Sequence, residues 1–367
     1  MSNTRSKNPQ SLRVGVLGAG RIGTIHTQIL SRLGVTIVSV ADPGADRAKA
    51  LADEFGIPNF TTDPNDIFED PTIHAVLICS PTDHHAHQIH LAAQHKKHIF
   101  CEKPIALDLA VVDAAVKAVE DANVKLMVGF NRRFDANFKR VRRAVVDGEV
   151  GAVSMIRITS RDPSPPPVSY IKVSGGMFCD MTIHDFDMAR FLVGSEIDQV
   201  FVLGRACDAA IAAAGDVDVA VVCLQFANGV IGYIENSRVA AYGYDQRVEI
   251  LGSKGAVSCD NNYPNTVHKH QKQSHVDCGV LQVTVSTAAS IARDLPLHFF
   301  IDRYMDAYRD ELAAFVDVCL NPGAVPPVSG QDGRQALKLG LAATLSLKEN
   351  RPVKLSEFHS GYPTGRL

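Results

Sequence analysis

The chain has 367 residues, a length that suggests two domains at about 150 residues each and a core that needs no disulfide or metal. Hydrophobic residues make up 46% and charged residues 21%, which excludes intrinsic disorder as the main state. The net charge of -3 leaves no basic excess for nucleic acid or an anionic membrane, and no apolar run is long enough to predict a transmembrane helix.

In the first third of the chain, short β-branched runs alternate with segments of helical apolar spacing. The runs predict strands at 12–17, 35–41, 74–80, 99–101 and 125–128, and the segments between them predict helices at 22–33, 46–55, 83–95 and 109–120. Such alternation is typical of βαβ units, which form a parallel sheet with helices on both faces. We therefore predict a flexible polar tail at 1–11 and an α/β domain at 12–128.

The pattern changes after about residue 130 and predicts a second domain at 129–367. Expected helices are 135–146, a segment opened by Gly175-Gly176 and running through Leu192, and two closing helices at 301–319 and 331–348. Expected strands are 151–161, 197–203, 217–226, 230–236 and 247–251. Asn228-Gly229 indicates a two-residue hairpin loop. These elements predict an α+β domain with an open, mainly antiparallel sheet.

None of the eight cysteines forms a CxxC pair, and Cys79 and Cys223 lie in apolar strand-like runs. This pattern favours buried free thiols in a reducing compartment, so we expect a cytoplasmic protein. Histidines cluster at 84, 85, 87 and 90, and another pair stands at 268 and 270. Neither group completes a tetrahedral ligand set at the usual spacing, so we expect no metal.

A glycine-rich motif follows the first predicted strand directly and opens the first predicted helix. It reads Gly18-Ala19-Gly20-Arg21-Ile22-Gly23, which is GxGxxG in a strand–turn–helix context. The first glycine permits the tight turn, the second lets the backbone approach a pyrophosphate at the helix N-terminus, and the third lets helix and strand pack closely. The motif predicts that 12–128 is a dinucleotide-binding Rossmann domain and that Gly18, Gly20, Arg21, Ile22 and Gly23 contact the cofactor.

The acidic residue Asp42 ends the second predicted strand, near the spacing at which a carboxylate binds the ribose hydroxyls. A carboxylate there repels a 2′-phosphate, so we predict NAD and not NADP. Ser80, Thr82 and His84 lie where the strand 74–80 ends, and we expect them on the nicotinamide side.

Three further stretches resemble the glucose-fructose oxidoreductase/inositol dehydrogenase family, often called Gfo/Idh/MocA. They are Glu102-Lys103-Pro104, the segment Gly-Phe-Asn-Arg-Arg-Phe-Asp at 129–135, and the segment from Gly175 to Asp187. The last of these is similar to bacterial inositol 2-dehydrogenases. The resemblance covers about residues 12–355 and implies NAD, a cyclitol or sugar substrate, and commonly a homotetramer built through the open sheet. It also implies a cis peptide before Pro104.

Oxidation of a secondary alcohol needs a base for the hydroxyl proton and stabilisation of the forming alkoxide. Asp180 and His184 stand at i and i+4 of one predicted helix, so we expect them on one face. We predict His184 as the general base, with Asp180 as its orienter or as an acceptor for a substrate hydroxyl. Lys103 follows the strand 99–101, at the sheet edge where ligands bind, and its ammonium would stabilise the alkoxide. The resemblance implies the same three roles.

Glu102 and Lys103 are also expected near the cofactor, while the substrate candidates depend more on the resemblance. These candidates are Asn131 and Arg132 after the strand 125–128, Asp162 at the end of the strand 151–161, and Tyr244. Arg132 in a solvated loop and Asp162 in a simple turn are the competing interpretations. Asp187 falls on the Asp180/His184 face. Asp185 falls on the apolar stripe of the same helix, so it needs a buried partner that the sequence does not identify.

These observations favour NAD-dependent oxidation of a ring hydroxyl of myo-inositol to the ketone. One alternative is the same chemistry on scyllo- or chiro-inositol or on an aldose such as glucose. Another is a sugar-sensing regulator that binds NAD without catalysis, although loss of Lys103 or His184 would be its signature and both are present. A third is a glycosidase-like enzyme that uses bound NAD transiently.

Overall fold

The computed structural model describes residues 8–261, 269–271, 282–286, 289–293, 296–297 and 299–359. These residues form two compact units. The first unit contains residues up to 135, together with 306–341 and the residues after 355. The second contains 136–305 and 342–355.

The first unit begins with six strands and five helices that alternate along the chain. The strands are β1 (Arg13–Leu17), β2 (Thr36–Ala41), β3 (Asn59–Thr61), β4 (Ala75–Ile78), β5 (His98–Glu102) and β6 (Leu126–Gly129). The helices are α1 (Arg21–Arg32), α2 (Ala45–Phe55), α3 (Asn65–Glu69), α4 (Thr82–Gln94) and α5 (Leu109–Ala122). Short β3 and α3 are additions to the predicted elements.

These six strands form one sheet in the order β3-β2-β1-β4-β5-β6, and every neighbouring pair is parallel. This is the doubly wound order in which the chain direction across the sheet reverses beside β1. Strands β1 and β4 carry almost fully buried side chains, as expected for strands covered on both faces. The predicted Rossmann fold is confirmed, and its switch point lies at the carboxyl ends of β1 and β4.

The second unit is built on a seven-stranded sheet with helices on one face. Its elements begin with α6 (Ala136–Val146), β7 (Val153–Arg161), α7 (Val168–Ser174), α8 (Gly176–Asp180), α9 (Thr182–Val193), β8 (Ile197–Arg205) and α10 (Ala209–Ala213). They continue with β9 (Val219–Phe226), β10 (Ile231–Ser237), β11 (Asp245–Gly252), β12 (Gly255–Cys259), β13 (Lys269–Gln271), β14 (Gln282–Ser286) and β15 (Ala289–Arg293). The last elements of the chain are α11 (Phe300–Leu320), α12 (Gly330–Glu349) and β16 (Val353–Lys354).

The large sheet has the order β12-β11-β7-β10-β9-β8-β16, while β13, β15 and β14 form a small separate sheet. Only β7 and β10 pair in parallel, so the large sheet is mainly antiparallel, as predicted. The β9–β10 hairpin is also confirmed, but its loop differs from the predicted one. Phe226 N–H donates to Val230 O at 2.9 Å, which leaves three loop residues instead of two. Gly229 takes a φ of +86° there, a conformation that glycine adopts without strain.

The single helix predicted to run through Leu192 was wrong, because the segment is two helices separated at Met181. The Met181 backbone stays right-handed at φ -91° and ψ -60°, and its N–H donates to Met177 O at 2.9 Å. His184 N–H then donates to Met181 O, three residues back, at 3.3 Å. Helix α7 was also missed, since the prolines before it favour extended backbone.

The closing helices divide between the units differently from the predicted domain boundaries. We assigned both to the second domain, whereas residues 306–341 lie in the first unit. There the rings of Phe100 and Phe315 lie 5.7 Å apart, and Val128 N–H donates to Val328 O at 3.2 Å. Through these contacts, residues 306–341, which we call the closing segment, pack beside β5 and β6 of the first sheet.

One face of the large sheet is buried and the other is exposed. Along β9, burial alternates strictly, with Ala220, Val222, Leu224 and Phe226 inside. Cys223 points to the other face and is exposed, so the prediction that it is buried was wrong. Cys79 is buried as predicted, and all seven cysteines of the described residues are free thiols. Cys278 lies outside those residues.

Candidate cofactor and active sites

The loop between β1 and α1 leaves no room for side chains at two of its three motif glycines. Gly18 has a φ of +103°, and a Cβ there would lie 2.7 Å from Cys79 O. A Cβ on Gly23 would lie 1.9 Å from Gly18 O, because the helix packs directly on the turn. Both glycines are therefore required by the fold of the first unit.

Gly20 is different, because a Cβ there would meet no atom within 4 Å. It is exposed, with φ -79° and ψ -173°, and it is the N-cap of α1 without a side-chain cap. The backbone N–H groups of the first helical turn are thus accessible at a helix N-terminus, the arrangement that binds phosphate. These features fit a dinucleotide pyrophosphate. Arg21 is exposed and Ile22 half-buried beside it.

Asp42 follows β2 and braces this loop with its buried carboxylate. Oδ2 accepts the Ala19 N–H at 2.9 Å, and Oδ1 accepts the Gly44 N–H at 2.7 Å. The Arg47 guanidinium, which sequence reasoning missed, contacts Oδ1 at 2.6 Å from the first turn of α2. Burial alone would raise the pKa of Asp42, but these hydrogen bonds and the Arg47 charge together lower it. An anionic acceptor therefore stands beside the glycine loop, as hydrogen bonding to ribose hydroxyls requires.

The turn after β4 carries the next three predicted cofactor residues. Ser80 donates its hydroxyl to Gln88 at 2.7 Å, Thr82 is the first residue of α4, and His84 is exposed. The neighbouring His85 is buried, and its two ring nitrogens lie 2.8 Å from Pro104 O and 2.7 Å from Ser80 O. Burial lowers the pKa of His85, against the opposing effect of these two carbonyls. His85 therefore links the turn after β4 to the segment that contains Lys103.

The Glu102-Lys103-Pro104 segment ends β5 at the carboxyl edge of the sheet. Glu102 Oε1 lies 2.7 Å from Nε2 of the fully buried His26, so the carboxylate is held against α1. Lys103 is half-buried, and the Lys103-Pro104 peptide bond is cis, as the resemblance implied. The structure thus anchors both neighbours of Lys103, Glu102 through its side chain and Pro104 through its carbonyl.

Asn131 and Arg132 lie in a 3₁₀ turn (Asn131–Phe134) just after β6. They are 3% and 5% exposed, which rules out the interpretation of Arg132 as a solvated loop residue. Next to them, Arg133 pairs with Asp332 of α12 at 2.9 Å. Burial alone would raise the pKa of Asp332, but the Arg133 charge and hydrogen bonds from Ser329 lower it. This pair ties the turn to the closing segment of the same unit.

In the second unit, Asp180 ends α8 and is partly exposed. Its Oδ1 accepts a hydrogen bond from the Tyr170 hydroxyl at 3.0 Å, and its Oδ2 lies 3.8 Å from Nη2 of Arg238. Because the helix breaks at Met181, Asp180 and His184 belong to different helices. Their predicted position on one common face stays a prediction, although Met181 between them keeps right-handed backbone angles.

His184 lies in the first turn of α9, which a buried polar network joins to the sheet. The Thr182 hydroxyl donates to Asn236 Oδ1 at 2.7 Å, and Asn236 Nδ2 donates to Asp185 Oδ2 at 2.8 Å. Asn236 also donates to Ser160 O at 3.2 Å. Asn236 is thus a buried partner for Asp185, which the sequence could not identify. Because Thr182 and Asp185 flank His184, this network fixes the turn that presents the imidazole.

The remaining substrate candidates lie at the ends of β7 and β11. Asp162 follows β7, with its N–H donating to Ser237 O and its carbonyl accepting the Ala240 N–H, both at 2.8 Å. Tyr244 is only 6% exposed and packs edge-on against Tyr304. Asp187 is also buried, and its Oδ1 lies 3.9 Å from Nη1 of Arg190. The structure gives Tyr244 a core position, and its role toward substrate stays a prediction.

A buried carboxylate that sequence reasoning missed, Asp245, adjoins Tyr244. The Asp245 carboxylate accepts hydrogen bonds from Tyr242 at 2.6 Å, Arg247 at 2.7 Å and Asn261 at 2.7 Å. Burial alone would raise the pKa of Asp245, but these donors lower it. The run of three polar residues that begins β11, Asp245-Gln246-Arg247, was the signal that could have indicated it.

Across the described ranges, no three His, Cys, Asp or Glu side chains come together as a metal site. His268 lies outside these ranges, and only the backbone of His270 is described. None of the described helices combines the length and hydropathy that crossing a bilayer requires.

Comparison with known proteins matches both units. Residues 12–130 match an oxidoreductase family with an NAD-binding Rossmann fold, and residues 138–258 match the GFO/IDH/MocA C-terminal domain. The chain is 46% identical to a myo-inositol 2-dehydrogenase of Thermotoga maritima, over 94% of this chain and 99% of the relative. It is equally similar, at 46%, to an inositol 2-dehydrogenase of Rhizobium meliloti, over 94% of this chain and 100% of the relative.

A solved structure extends the comparison to a liganded protein. The crystal structure of scyllo-inositol dehydrogenase from Lactobacillus casei with bound NAD(H) and scyllo-inositol is 27% identical to this chain. It aligns with a TM-score of 0.80, covering 94% of this chain and 99% of the other.

Proposed function

This chain belongs to the Gfo/Idh/MocA family of NAD-dependent oxidoreductases, and we propose that it oxidises a ring hydroxyl of myo-inositol to give the 2-keto-inositol. One structural observation carries the proposal most directly. His184 lies in a turn of α9 that the buried Thr182–Asn236–Asp185 network holds to the sheet, as a positioned base requires. The naming of similar proteins as inositol dehydrogenases supports the substrate class.

NAD is held, in this proposal, by the glycine loop and its neighbours. Gly20 and the N-terminus of α1 would hold the pyrophosphate, and Asp42 would accept hydrogen bonds from the adenosine ribose. Ser80, Thr82 and Glu102 border the nicotinamide side. When bound, the nicotinamide supplies the hydride acceptor, so that NAD⁺ is reduced to NADH as the alcohol is oxidised.

Three residues of the chain carry the remaining chemistry. His184 takes the proton from the reacting hydroxyl as the carbon loses its hydride and the carbonyl forms. The Lys103 ammonium stabilises the negative charge that develops on the oxygen. Asp180 orients the imidazole or accepts a hydrogen bond from a neighbouring hydroxyl. Asn131, Arg132 and Asp162 bind further hydroxyls of the cyclitol.

The same residues would serve scyllo-inositol equally well, and one observation favours keeping this substrate beside myo-inositol. The Lactobacillus casei structure that aligns along 94% of this chain is a scyllo-inositol dehydrogenase. Because the two isomers differ only in the orientation of a ring hydroxyl, discrimination must come from the side chains that contact the rest of the ring.

We also propose a homotetramer, assembled through the exposed face of the large sheet. That face carries large apolar side chains on four strands, with Leu203 59%, Ile231 56%, Leu251 41% and Val221 37% exposed. An apolar sheet face of this kind marks an interaction surface. The free thiols of the described cysteines support a reducing, cytoplasmic location.

NADH formation from purified protein tests the function. Myo-, scyllo- and chiro-inositol and glucose should each be offered with NAD and with NADP. We expect the highest kcat/KM with myo-inositol and NAD. The His184→Asn variant should lose this activity but still bind NAD. Failure to oxidise any of these compounds would favour the regulator. Light scattering measures the mass of the assembly, and we expect a tetramer for the wild type and a smaller species for Ile231→Glu. A monomeric wild type would contradict the proposed assembly.

A further inference from the structure

The second unit contains a buried arginine whose guanidinium faces two carboxylates. Arg238 follows β10 directly, and its side chain is 1% exposed. Its Nη2 lies 3.8 Å from Oδ2 of Asp180 and 3.7 Å from Oδ2 of Asp216. The backbone is fixed as well, because Arg238 N–H donates to Asp218 O at 2.8 Å.

The guanidinium lies within ion-pair distance of both carboxylates, yet it forms no hydrogen bond with the described residues. Within the described ranges, Nε, Nη1 and Nη2 of Arg238 make no hydrogen bond. Burying a guanidinium without hydrogen bonds costs free energy, and the nearby carboxylates offset only part of that cost. Replacing a whole buried ion-pair cluster by apolar side chains of similar volume is often neutral or stabilising. Stability alone is therefore a poor explanation for an arginine at this position.

Both oxygens of the Asp180 carboxylate have a polar neighbour. Oδ1 accepts the Tyr170 hydroxyl, and Oδ2 faces Arg238. Asp216, the second carboxylate near Arg238, contacts the helix that carries Asp180. Its Oδ1 accepts the Met177 N–H of α8 at 3.1 Å, and α8 ends at Asp180. Arg238 thus connects the carboxylate of Asp180 to the residue that holds its helix.

We propose that Arg238 is a positioning residue, which sets the orientation of the Asp180 carboxylate for the reacting substrate. This inference rests on the proposed function, because it assumes that Asp180 acts on the substrate or on His184. Arg238 itself touches neither substrate nor cofactor in this proposal. A misplacement of about 1 Å in a positioned group can cost roughly 10²-fold in rate.

Three variants of Arg238 separate charge from packing. Arg238→Met keeps the volume without charge, Arg238→Gln keeps an amide donor without charge, and Arg238→Lys keeps the charge. We expect kcat for inositol oxidation to fall roughly 10²-fold in the first two. We expect Arg238→Lys to regain a large part of the loss. Arg190→Met is the matched control, since Arg190 is an ion-paired arginine of the same unit that is only 9% exposed.

The readout must distinguish a slower reaction from a smaller folded fraction. Inositol deuterated at the oxidised carbon provides this, because slower chemistry increases the isotope effect on kcat, whereas partial unfolding leaves KM and the isotope effect unchanged. The proposal is supported if Arg238→Gln has a lower kcat and a larger isotope effect, and if Arg238→Lys returns both quantities toward the wild-type values. Unchanged kinetics in Arg238→Gln, or a loss with an unchanged isotope effect, overturns it.

The two proposals fail in different ways. If the wild type oxidises no inositol, the proposed function is wrong and the role of Arg238 falls with it. If the wild type is active and the charge-removing variants match Arg190→Met, the function stands and the positioning role is wrong. If Arg238→Met does not fold, Arg238→Gln alone decides.

Discussion

Replacing Gly20 by alanine should weaken NAD binding while leaving the fold intact. The backbone at Gly20 is extended, and the added methyl group would meet no protein atom within 4 Å. Alanine at such a position gains about 0.4–1 kcal/mol by restricting the unfolded chain. It loses a similar amount, about 0.5 kcal/mol, because alanine is a poorer N-cap than glycine. The free energy of unfolding should therefore stay within about 0.5 kcal/mol of the wild type.

The cofactor should respond much more strongly. A methyl group on Gly20 would occupy the position where the backbone must approach the pyrophosphate. Loss of one hydrogen bond to a charged phosphate costs about 1.5–3 kcal/mol, which corresponds to a roughly 10- to 150-fold higher Kd. Isothermal titration calorimetry with NAD measures the Kd, and urea unfolding without cofactor measures the stability.

Gly18→Ala is the matched comparison in the same loop. Its φ of +103° costs about 1–3 kcal/mol for alanine, and overpacking against Cys79 O adds about 1–3 kcal/mol. This variant should lose stability even without NAD. If Gly20→Ala bound NAD as tightly as the wild type, or unfolded as easily as Gly18→Ala, the assignment of Gly20 to the pyrophosphate would be wrong.

Three further predictions concern single side chains. His184→Asn should lower kcat by roughly 10²–10⁴-fold with an unchanged Kd for NAD, and near-normal turnover would refute its role as base. The pKa of Asp42 is lowered in the folded protein, so its stabilisation is present above pH of about 4 and is lost as pH falls through the folded-state pKa. The difference in unfolding free energy between wild type and Asp42→Asn should therefore shrink in acid, and a difference that grows would contradict this sign. Asn236→Leu removes a donor to the buried Asp185 carboxylate and should cost about 1.5–3 kcal/mol in urea unfolding, against about 1 kcal/mol for Thr182→Val. Equal losses in these two variants would contradict the larger contribution expected from the contact with Asp185.

The parallel sheet of the first unit and its crossover helices could be predicted almost element by element, because their signals are local. Buried parallel strands require continuous apolar runs, and the crossover helices between them require helical spacing, so both periods appear directly in the sequence. The glycine motif and Asp42 were found for the same reason, since a fixed turn geometry demands specific residues at fixed offsets. Short β3 and α3 escaped because neither is long enough to show a period.

The second unit shows where local signals end. The segment around Asp180 and His184 has one continuous helical pattern, yet the chain breaks it at Met181. Thr182 and Asp185 bond to Asn236, a residue more than fifty positions away on β10. That bond orients α9 on the sheet, and no local propensity encodes it. For the same reason, the apolar pattern around Cys223 could not indicate which face of β9 is covered.

By itself, the sequence determined the fold class and the cofactor loop, and it predicted which side chains react, since each of these depends on residue type and spacing. Only the tertiary structure decided which partners hold those side chains. The contacts concerned are His85 with Pro104, Arg47 with Asp42, Asn236 with Asp185 and Arg238 with Asp180. The physical reason is that a buried polar group takes the nearest available partner in space, and the packing of whole elements determines which partner that is.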